Sequence, residues 1–272
     1  MKRGEVADLA GSCGLGTWTA FGVLTMVVAG HDGMPLFADA DILSWSVSHR
    51  PDVTVTLARG LTATGTSVIP YALAVLAGII AGRTRRQRAL AVALCLVCLG
   101  AGQALRYAVM AFVARPRPPL TDWATHASGW AFPSGHTTTA ALAAGLLIMA
   151  VRMCGPRGTT PLTLVIGAWG ASVGLTRAYL GVHWFTDVVG GWLFALGWLG
   201  LCLSAVAHWL PERWTPGTTD TDTGSARRTA EPTGSTAGGR TDTAAEHTDV
   251  AREQREDHAP DHPGRRGRSR PA

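Results

Sequence analysis

Residues 176–187 read Thr-Arg-Ala-Tyr-Leu-Gly-Val-His-Trp-Phe-Thr-Asp, and an apolar run at 188–210 follows directly. Three ionisable side chains, Arg177, His183 and Asp187, therefore stand at the edge of a hydrophobic segment. His183 and Asp187 are four residues apart, so a helix that includes both would place them on one face. A carboxylate bonded to one ring nitrogen fixes the imidazole tautomer and leaves the other nitrogen free as a base, nucleophile or ligand.

This stretch by itself allows a second interpretation. Arg177 offers a planar set of donors that suits a phosphate or a carboxylate. An arginine at the end of a membrane helix can equally reach out to the headgroups, and a His–Asp pair can simply cap a helix. The remaining chain has to decide between a chemical site and a helix end.

The composition indicates a membrane protein. The chain has 272 residues, of which 47% are hydrophobic and only 16% charged. The apolar residues come in blocks near the length of about 20 residues that crosses a bilayer as a helix. We predict an all-α, polytopic helical bundle of about six transmembrane helices, at 15–30, 61–81, 89–113, 137–151, 161–175 and 188–210. The net charge of +5 is modest and indicates no nucleic-acid partner.

Three segments are expected along the chain. Residues 1–14 are predicted to be a cytoplasmic N-terminal head, and 15–210 the six-helix domain. A basic start before an apolar run is also typical of a signal peptide, but no clean cleavage site follows, which favours an uncleaved span. Residues 211–272 are rich in Thr, Gly, Asp, Glu and Arg, so we predict a disordered cytoplasmic tail.

Arginine placement predicts the orientation in the membrane. Four arginines lie at 83–88, and Arg152 and Arg157 lie in a later loop. Positively charged loops favour the cytoplasmic side. Counting spans then places the loop at 114–136 and the stretch at 176–187 together on the outer side, where polar clusters converge.

The converging residues suit a tetrahedral oxyanion. Guanidinium groups, a hydroxyl and the free N–H groups of a helix N-terminus all bind phosphate. Two imidazoles allow an in-line displacement, in which one attacks phosphorus while the other protonates the departing oxygen. No cluster of carboxylates or thiolates indicates a metal or cofactor, so charge neutralisation would rest on the arginines. The residues expected at this face are Arg117, Ser134, Gly135, His136, Arg177, His183 and Asp187.

These motifs resemble the type 2 phosphatidic acid phosphatases, the PAP2 family. Its signature is Lys-x6-Arg-Pro, then Pro-Ser-Gly-His, then Ser-Arg-x5-His-x3-Asp. Residues 133–136 are Pro-Ser-Gly-His, and Arg177, His183 and Asp187 match the third motif in every spacing. The resemblance covers roughly 39–210 and implies a helical bundle, metal-independent hydrolysis and a lipid phosphate that enters between helices.

The resemblance also implies roles for the residues. His183 would be the nucleophile that becomes phosphohistidine, Asp187 would orient it, and His136 would be the general acid. The remaining matched residues would hold the phosphoryl oxygens, namely Arg117, Ser134, Gly135 and Arg177.

The sequence departs from the signature at two positions. Thr176 replaces the usual serine and keeps a hydroxyl, whereas Met110 stands seven residues before Arg117, where the family has lysine. Arg106 lies one helical turn deeper on the same face, about 6 Å away. It could supply the missing cation, or it could pair within the bundle and leave the site weakened.

The expected function is that of an integral-membrane phosphatase acting on a lipid phosphate or pyrophosphate at the outer leaflet. Candidate substrates are phosphatidate, phosphatidylglycerol phosphate and undecaprenyl pyrophosphate, with membrane lipids as the surroundings. Three alternatives stay open. They are a vanadate-dependent oxidase, an anion transporter or channel, and a catalytically degenerate protein that binds lipid phosphate without turnover.

The predicted orientation can be tested by cysteine labelling. In intact cells, Thr125→Cys should react with an impermeant thiol reagent from outside, because the loop at 114–136 is expected to face out. Gln87→Cys, in the arginine-rich loop, should stay unlabelled until the cells are opened. The reverse pattern would place the site in the cytoplasm.

Overall fold

The computed structural model describes residues 3–155 and 158–209, and their regular structure is helical throughout. No strand occurs within these residues, which confirms the predicted all-α class. A short 3₁₀ turn, Leu120–Asp122, interrupts one long loop. The helices are α1 (Arg3–Gly30), α2 (Asp39–Ser48), α3 (Asp52–Ala63), α4 (Val68–Ala81), α5 (Arg85–Val113), α6 (Gly135–Cys154), α7 (Thr160–Tyr179) and α8 (Phe185–Trp209).

Four of these helices are long and apolar enough to cross a bilayer: α1, α5, α6 and α8. Helices α3 and α4 meet at a bend of 51° and make a fifth candidate if they are counted as one broken span. The predicted span at 161–175 is the 20-residue helix α7. Helix α7 is not among the four single helices that are candidates within the described residues. The multi-pass bundle is confirmed, with four candidate spans in the described residues, or five if the bent pair is one span.

Two predicted boundaries differ from the structure. Helix α1 begins at Arg3 and therefore runs through most of the stretch 1–14 that was expected to be a separate head. The predicted span at 61–81 is broken between α3 and α4, where Ser67 has a φ of +61°. The tail at 211–272 lies outside the described residues. The cytoplasmic location of head and tail stays a prediction.

Helix α6 is the centre of the bundle and packs against α4, α5, α7 and α8. Its buried face is rich in small residues, including Ala140, Ala143 and Ala144. Small side chains let neighbouring backbones approach closely, which is how membrane helices gain van der Waals contact without a hydrophobic driving force. The N-terminus of α6 is thereby held at a defined height between its neighbours.

Two glycines of α8 let the loop before α6 approach closely. A Cβ atom on Gly190 would collide with the ring of Phe132, and one on Gly191 would lie 2.9 Å from Thr137 Cβ. The Phe132 ring is buried and stacks on Phe21 at a centroid distance of 5.8 Å. The absence of two side chains on α8 therefore seats the Pro-Ser-Gly-His segment against the start of that helix.

Candidate active site

The predicted site residues surround a cavity of about 480 Å³ at the end of the bundle where α6 begins. Helix α5 contributes its last turns, α7 its end, and the long loops before α6 and α8 close the wall. Six of the eight predicted site residues line this cavity, namely Arg106, Arg117, Gly135, His136, Arg177 and His183. Ser134 and Asp187 lie behind the wall and are fully buried.

His183 lies in the turn that precedes α8, so it does not share a helical face with Asp187. The two are nevertheless neighbours, with 3.4 Å between His183 Nδ1 and Asp187 Oδ2. This separation is longer than a good hydrogen bond. Asp187 Oδ2 also accepts a bond of 2.9 Å from the backbone N–H of Trp184. The carboxylate thus closes the turn that carries His183.

The contact between Arg117 and His183 determines the imidazole tautomer. Arg117 Nη1 lies 2.8 Å from His183 Nε2. A guanidinium can only donate, so Nε2 must be the unprotonated nitrogen and the ring proton must sit on Nδ1, on the side of Asp187. The free lone pair of His183 therefore belongs to the nitrogen that faces the arginine and the cavity.

Arg117 has a partner for each of its five N–H groups. Three of them donate to the carbonyl oxygens of residues 128–130, at 2.8–3.1 Å. The two on Nη1 go to the carbonyl of Val182, at 2.7 Å, and to His183. Arg117 therefore holds the loop before α6 against the turn before α8, and it gains a free donor for phosphate only when one of these bonds is replaced.

Arg177 and Arg106 bring further positive charge to the cavity. Arg177 is buried, and the structure gives it one long hydrogen bond, 3.4 Å from Nη1 to Thr62 Oγ1, while its Nε has no partner in the described residues. Arg106 is 3% exposed and donates from Nε to Gln103 at 2.9 Å. Its guanidinium carbon would lie 3.3 Å from a Cβ on Gly135, so it faces the N-terminus of α6.

The predicted phosphate ligands Ser134 and Gly135 occupy different positions. Gly135 lines the cavity, whereas the hydroxyl of Ser134 is buried and accepts a bond of 2.9 Å from Thr137. Ser134 N–H donates to the carbonyl of Asp187 at 3.1 Å. Ser134 therefore joins the start of α6 to the start of α8, and Gly135 and His136 are the residues of this motif that face the cavity.

Sequence reasoning missed Arg115 and Asp39, which lie behind His183. Arg115 donates to Asp187 Oδ1 at 2.7 Å and to Asp39 Oδ2 at 2.9 Å, and all three side chains are fully buried. The available signal was the repeated Arg-Pro in Arg-Pro-Arg-Pro at 115–118, of which only the second arginine fitted the signature spacing. Asp39 is 76 residues away, so no local pattern could have connected it.

The surroundings keep His183 uncharged. Burial, followed by the positive charges of Arg117 and Arg177, lowers the pKa of His183 well below its ordinary value. A neutral imidazole with Nε2 unprotonated is the form that can attack phosphorus. The lowered pKa and the tautomer therefore both leave the lone pair of His183 Nε2 unprotonated.

Comparison with known proteins agrees with the resemblance to the PAP2 family that the sequence motifs indicate. The PAP2 superfamily profile matches residues 89–211. Phosphatidylglycerophosphatase B of Escherichia coli K12 is 40% identical over 86 residues, which are 32% of this chain and 31% of that protein, so the match spans about a third of that relative. Phosphatidylglycerophosphatase B of Bacillus subtilis 168 is 29% identical over 179 residues, 65% of this chain and 86% of that protein.

A solved structure is similar as well. The transmembrane PAP2-type phosphatidylglycerolphosphate phosphatase from Bacillus subtilis superposes with a TM-score of 0.58 and 25% identity, over 72% of this chain and 94% of that one. The fold and the site define a multi-pass membrane protein with a cationic cavity around two imidazoles. Over residues 89–211 the chain is similar to the PAP2 superfamily, and its fold is similar to that of a transmembrane PAP2-type phosphatase.

The lowered pKa of His183 predicts a pH dependence of stability. A histidine in the unfolded chain titrates near pH 6.5. Below that pH the unfolded chain binds a proton that folded His183 does not. The free energy of unfolding therefore decreases as the pH is lowered, by up to about 1.4 kcal/mol per pH unit from this group. From about pH 7 to about pH 5, the thermal midpoint in detergent should fall more steeply for wild type than for His183→Gln.

The control for this measurement is His208→Gln, at the opposite end of α8, where the side chain is half exposed. This variant should keep the wild-type slope. Parallel slopes for wild type and His183→Gln would mean that folded His183 accepts a proton as readily as the unfolded chain does.

Proposed function

We propose that the protein is an integral-membrane phosphatase that hydrolyses a lipid phosphate through a phosphohistidine at His183. The observation that carries this proposal is the cavity, in which the unprotonated nitrogen of His183 and the guanidinium groups of Arg106, Arg117 and Arg177 meet at the N-terminus of α6. An imidazole lone pair among several buried cations suits an electrophilic phosphorus whose oxygens are negatively charged.

The proposed reaction has two steps. His183 Nε2 forms a bond to phosphorus while the bond from phosphorus to the lipid oxygen breaks, and His136 gives that oxygen a proton. Water then attacks the phosphohistidine and passes a proton back to His136, which releases inorganic phosphate and restores His183. Each proton given in the first step is thus recovered in the second.

The arginine contacts change in a defined way during the first step. The Nε2 lone pair that accepts from Arg117 Nη1 in the free protein is consumed by the new bond to phosphorus. The same N–H is then left next to a phosphoryl oxygen. Arg117 would therefore bind phosphate more strongly as the reaction proceeds, and an interaction that strengthens towards the transition state raises the rate.

The surroundings of the cavity favour a lipid monoester with a small polar headgroup. The hydroxyl-bearing residues Thr66, Ser67, Tyr71 and Tyr107 line the cavity. Tyr71 on α4 and Tyr107 on α5 are 41% and 58% exposed, so the cavity reaches the surface between these two helices. A phosphorylated headgroup could enter there while its acyl chains stay in lipid. The names of the relatives make phosphatidylglycerophosphate our first candidate, ahead of phosphatidate and undecaprenyl pyrophosphate.

We place the site on the extracytoplasmic side of the cell membrane. The support is the arginine-rich stretch at 83–88, which includes the first turn of α5 and lies at the opposite end of that helix from Arg117. Positively charged loops are retained in the cytoplasm. The cavity end of the bundle would then face the outer leaflet.

Phosphate release by purified protein tests the function. In EDTA and mixed micelles, wild type should release phosphate from phosphatidylglycerophosphate faster than from the other two lipids. His183→Ala should lose at least about 10⁴-fold in kcat, because no other group can take over the attack. Labelled substrate should give an acid-labile phosphoenzyme in wild type only.

The exposed His208 gives the matched control, and His208→Ala should retain wild-type turnover. If His183→Ala turns over substrate normally, the assigned nucleophile is wrong. If folded wild type binds lipid phosphate and releases no phosphate from any of the three lipids, the protein is a binding protein and not an enzyme.

We further propose that Arg106 takes the place of the family lysine at Met110. Arg106 Nη1 lies 3.5 Å from Met110 Sδ, so its guanidinium has reached the height at which the lysine would stand. The side-chain oxygen of Gln103 accepts a hydrogen bond from Nε of Arg106 and so holds the guanidinium in place. The Gln103 amide in turn donates to Thr139 on α6. A side chain anchored in this way supplies its positive charge at a defined place.

Substitutions at the two positions test this replacement. Arg106→Ala should lower kcat about a hundredfold to a thousandfold, the usual cost of removing one transition-state donor. Met110→Lys should bring little gain, since two cations would then share one position. Arg152→Ala, at the opposite end of α6, is the control. Tolerance of Arg106→Ala together with a clear gain from Met110→Lys would show that the site lacks its cation.

A further inference from the structure

A buried polar cluster behind the cavity connects α2 to the start of α8. Arg115 Nη1 donates to Thr186 Oγ1 and to Asp187 Oδ1, both at 2.7 Å. Its Nη2 donates to Met34 O at 3.1 Å and to Asp39 Oδ2 at 2.9 Å. Every hydrogen on the two terminal nitrogens is therefore used, and none of them points into the cavity.

Asp39 is bound as closely to α8 as to Arg115. Its Oδ1 accepts from the backbone N–H of Thr186 at 2.8 Å, and its Oδ2 accepts from the Thr186 hydroxyl at 2.7 Å. The first N–H groups of a helix have no partner within the helix, and a carboxylate there is favoured by the helix dipole. Asp39, although it belongs to α2, thus caps α8 just before Asp187.

The cluster alternates in charge, with Arg115 between the carboxylates of Asp39 and Asp187. All three side chains are fully buried. In a fully buried site, removing one member of such a set leaves an uncompensated charge, which costs far more than loss of a surface ion pair. The position of each carboxylate is therefore tied to the guanidinium between them.

We propose that Asp39 and Arg115 are positioning residues that act on His183 through Asp187. The proposal rests on the proposed function, because it assigns these residues to the same reaction. Arg115 holds Oδ1 of Asp187, and this leaves Oδ2 directed at Nδ1 of His183. When His183 Nε2 takes up the phosphoryl group, the imidazole becomes positive, and a correctly placed Oδ2 stabilises that charge. Asp39 fixes Arg115 relative to the first turn of α8, because it accepts hydrogen bonds from both.

Kinetics separate this role from substrate binding. Asp39→Asn and Arg115→Met should each lower kcat about 10- to 100-fold, the usual effect of removing a group that orients a histidine. The inhibition constant of inorganic phosphate should stay within about threefold of wild type, because neither side chain lines the cavity. Arg115→Lys should fall between wild type and Arg115→Met, since an ammonium lacks the planar fork that joins two carboxylates.

Asp41→Asn is the matched control, because Asp41 is an exposed residue of the same helix and the substitution is the same. It should keep wild-type kcat. An unchanged kcat in Asp39→Asn and Arg115→Met would overturn the proposal. A loss of phosphate affinity as large as the loss of kcat would also overturn it, since the cluster would then only support the cavity as a whole.

A measurement without turnover separates this inference from the proposed function. In micelles, the Nδ1 proton of His183 can be observed in ¹⁵N-histidine-labelled protein and assigned by its loss in His183→Ala. We expect its exchange with water to be at least about tenfold faster in Asp39→Asn and Arg115→Met than in wild type and Asp41→Asn, because Asp187 Oδ2 is then no longer held beside it. Equal exchange in all four proteins would refute the positioning role, even if wild type hydrolysed no lipid.

Discussion

The buried bridge from Asp39 through Arg115 to Asp187 is the constraint on which the site geometry depends. A guanidinium with no access to water is stable in a membrane bundle only when counter-charges surround it. Here the counter-charges come from α2 and from the first turn of α8. The requirement to neutralise one arginine therefore fixes the turn that carries His183, and with it the direction of the imidazole.

The cavity in front of this bridge has the opposite electrostatic character. Three guanidinium groups, from Arg106, Arg117 and Arg177, surround two imidazoles, and Asp187 lies behind the wall. Arg177 is buried with an Nε that lacks a partner in the described part of the chain. Such an arrangement concentrates positive charge, which favours an anion over a neutral ligand. Burying these positive charges together lowers the stability of the fold, and a bound anion would neutralise them.

Close backbone packing brings the Pro-Ser-Gly-His segment and the start of α8 together. The Pro-Ser-Gly-His segment reaches the start of α8 because Gly190 and Gly191 leave room for Phe132 and Thr137. Ser134, for which the resemblance to the PAP2 family implies a role in phosphate binding, also joins α6 to α8 through its backbone N–H. Arg117 likewise spans the loops before α6 and α8. Several residues that could be assigned to phosphate alone therefore also build the site.

The sequence by itself determined the class of protein, because hydrophobic blocks and the spacing of Arg177, His183 and Asp187 are local properties of the chain. It also singled out Arg106, since one helical turn separates it from Met110. Only the tertiary structure decided that Arg115 and Asp39 support Asp187, and that His183 lies in a turn rather than in a helix. The break between α3 and α4 was equally hidden in the pattern. Contacts between residues 76 positions apart depend on how helices pack, and no periodicity along the chain records that.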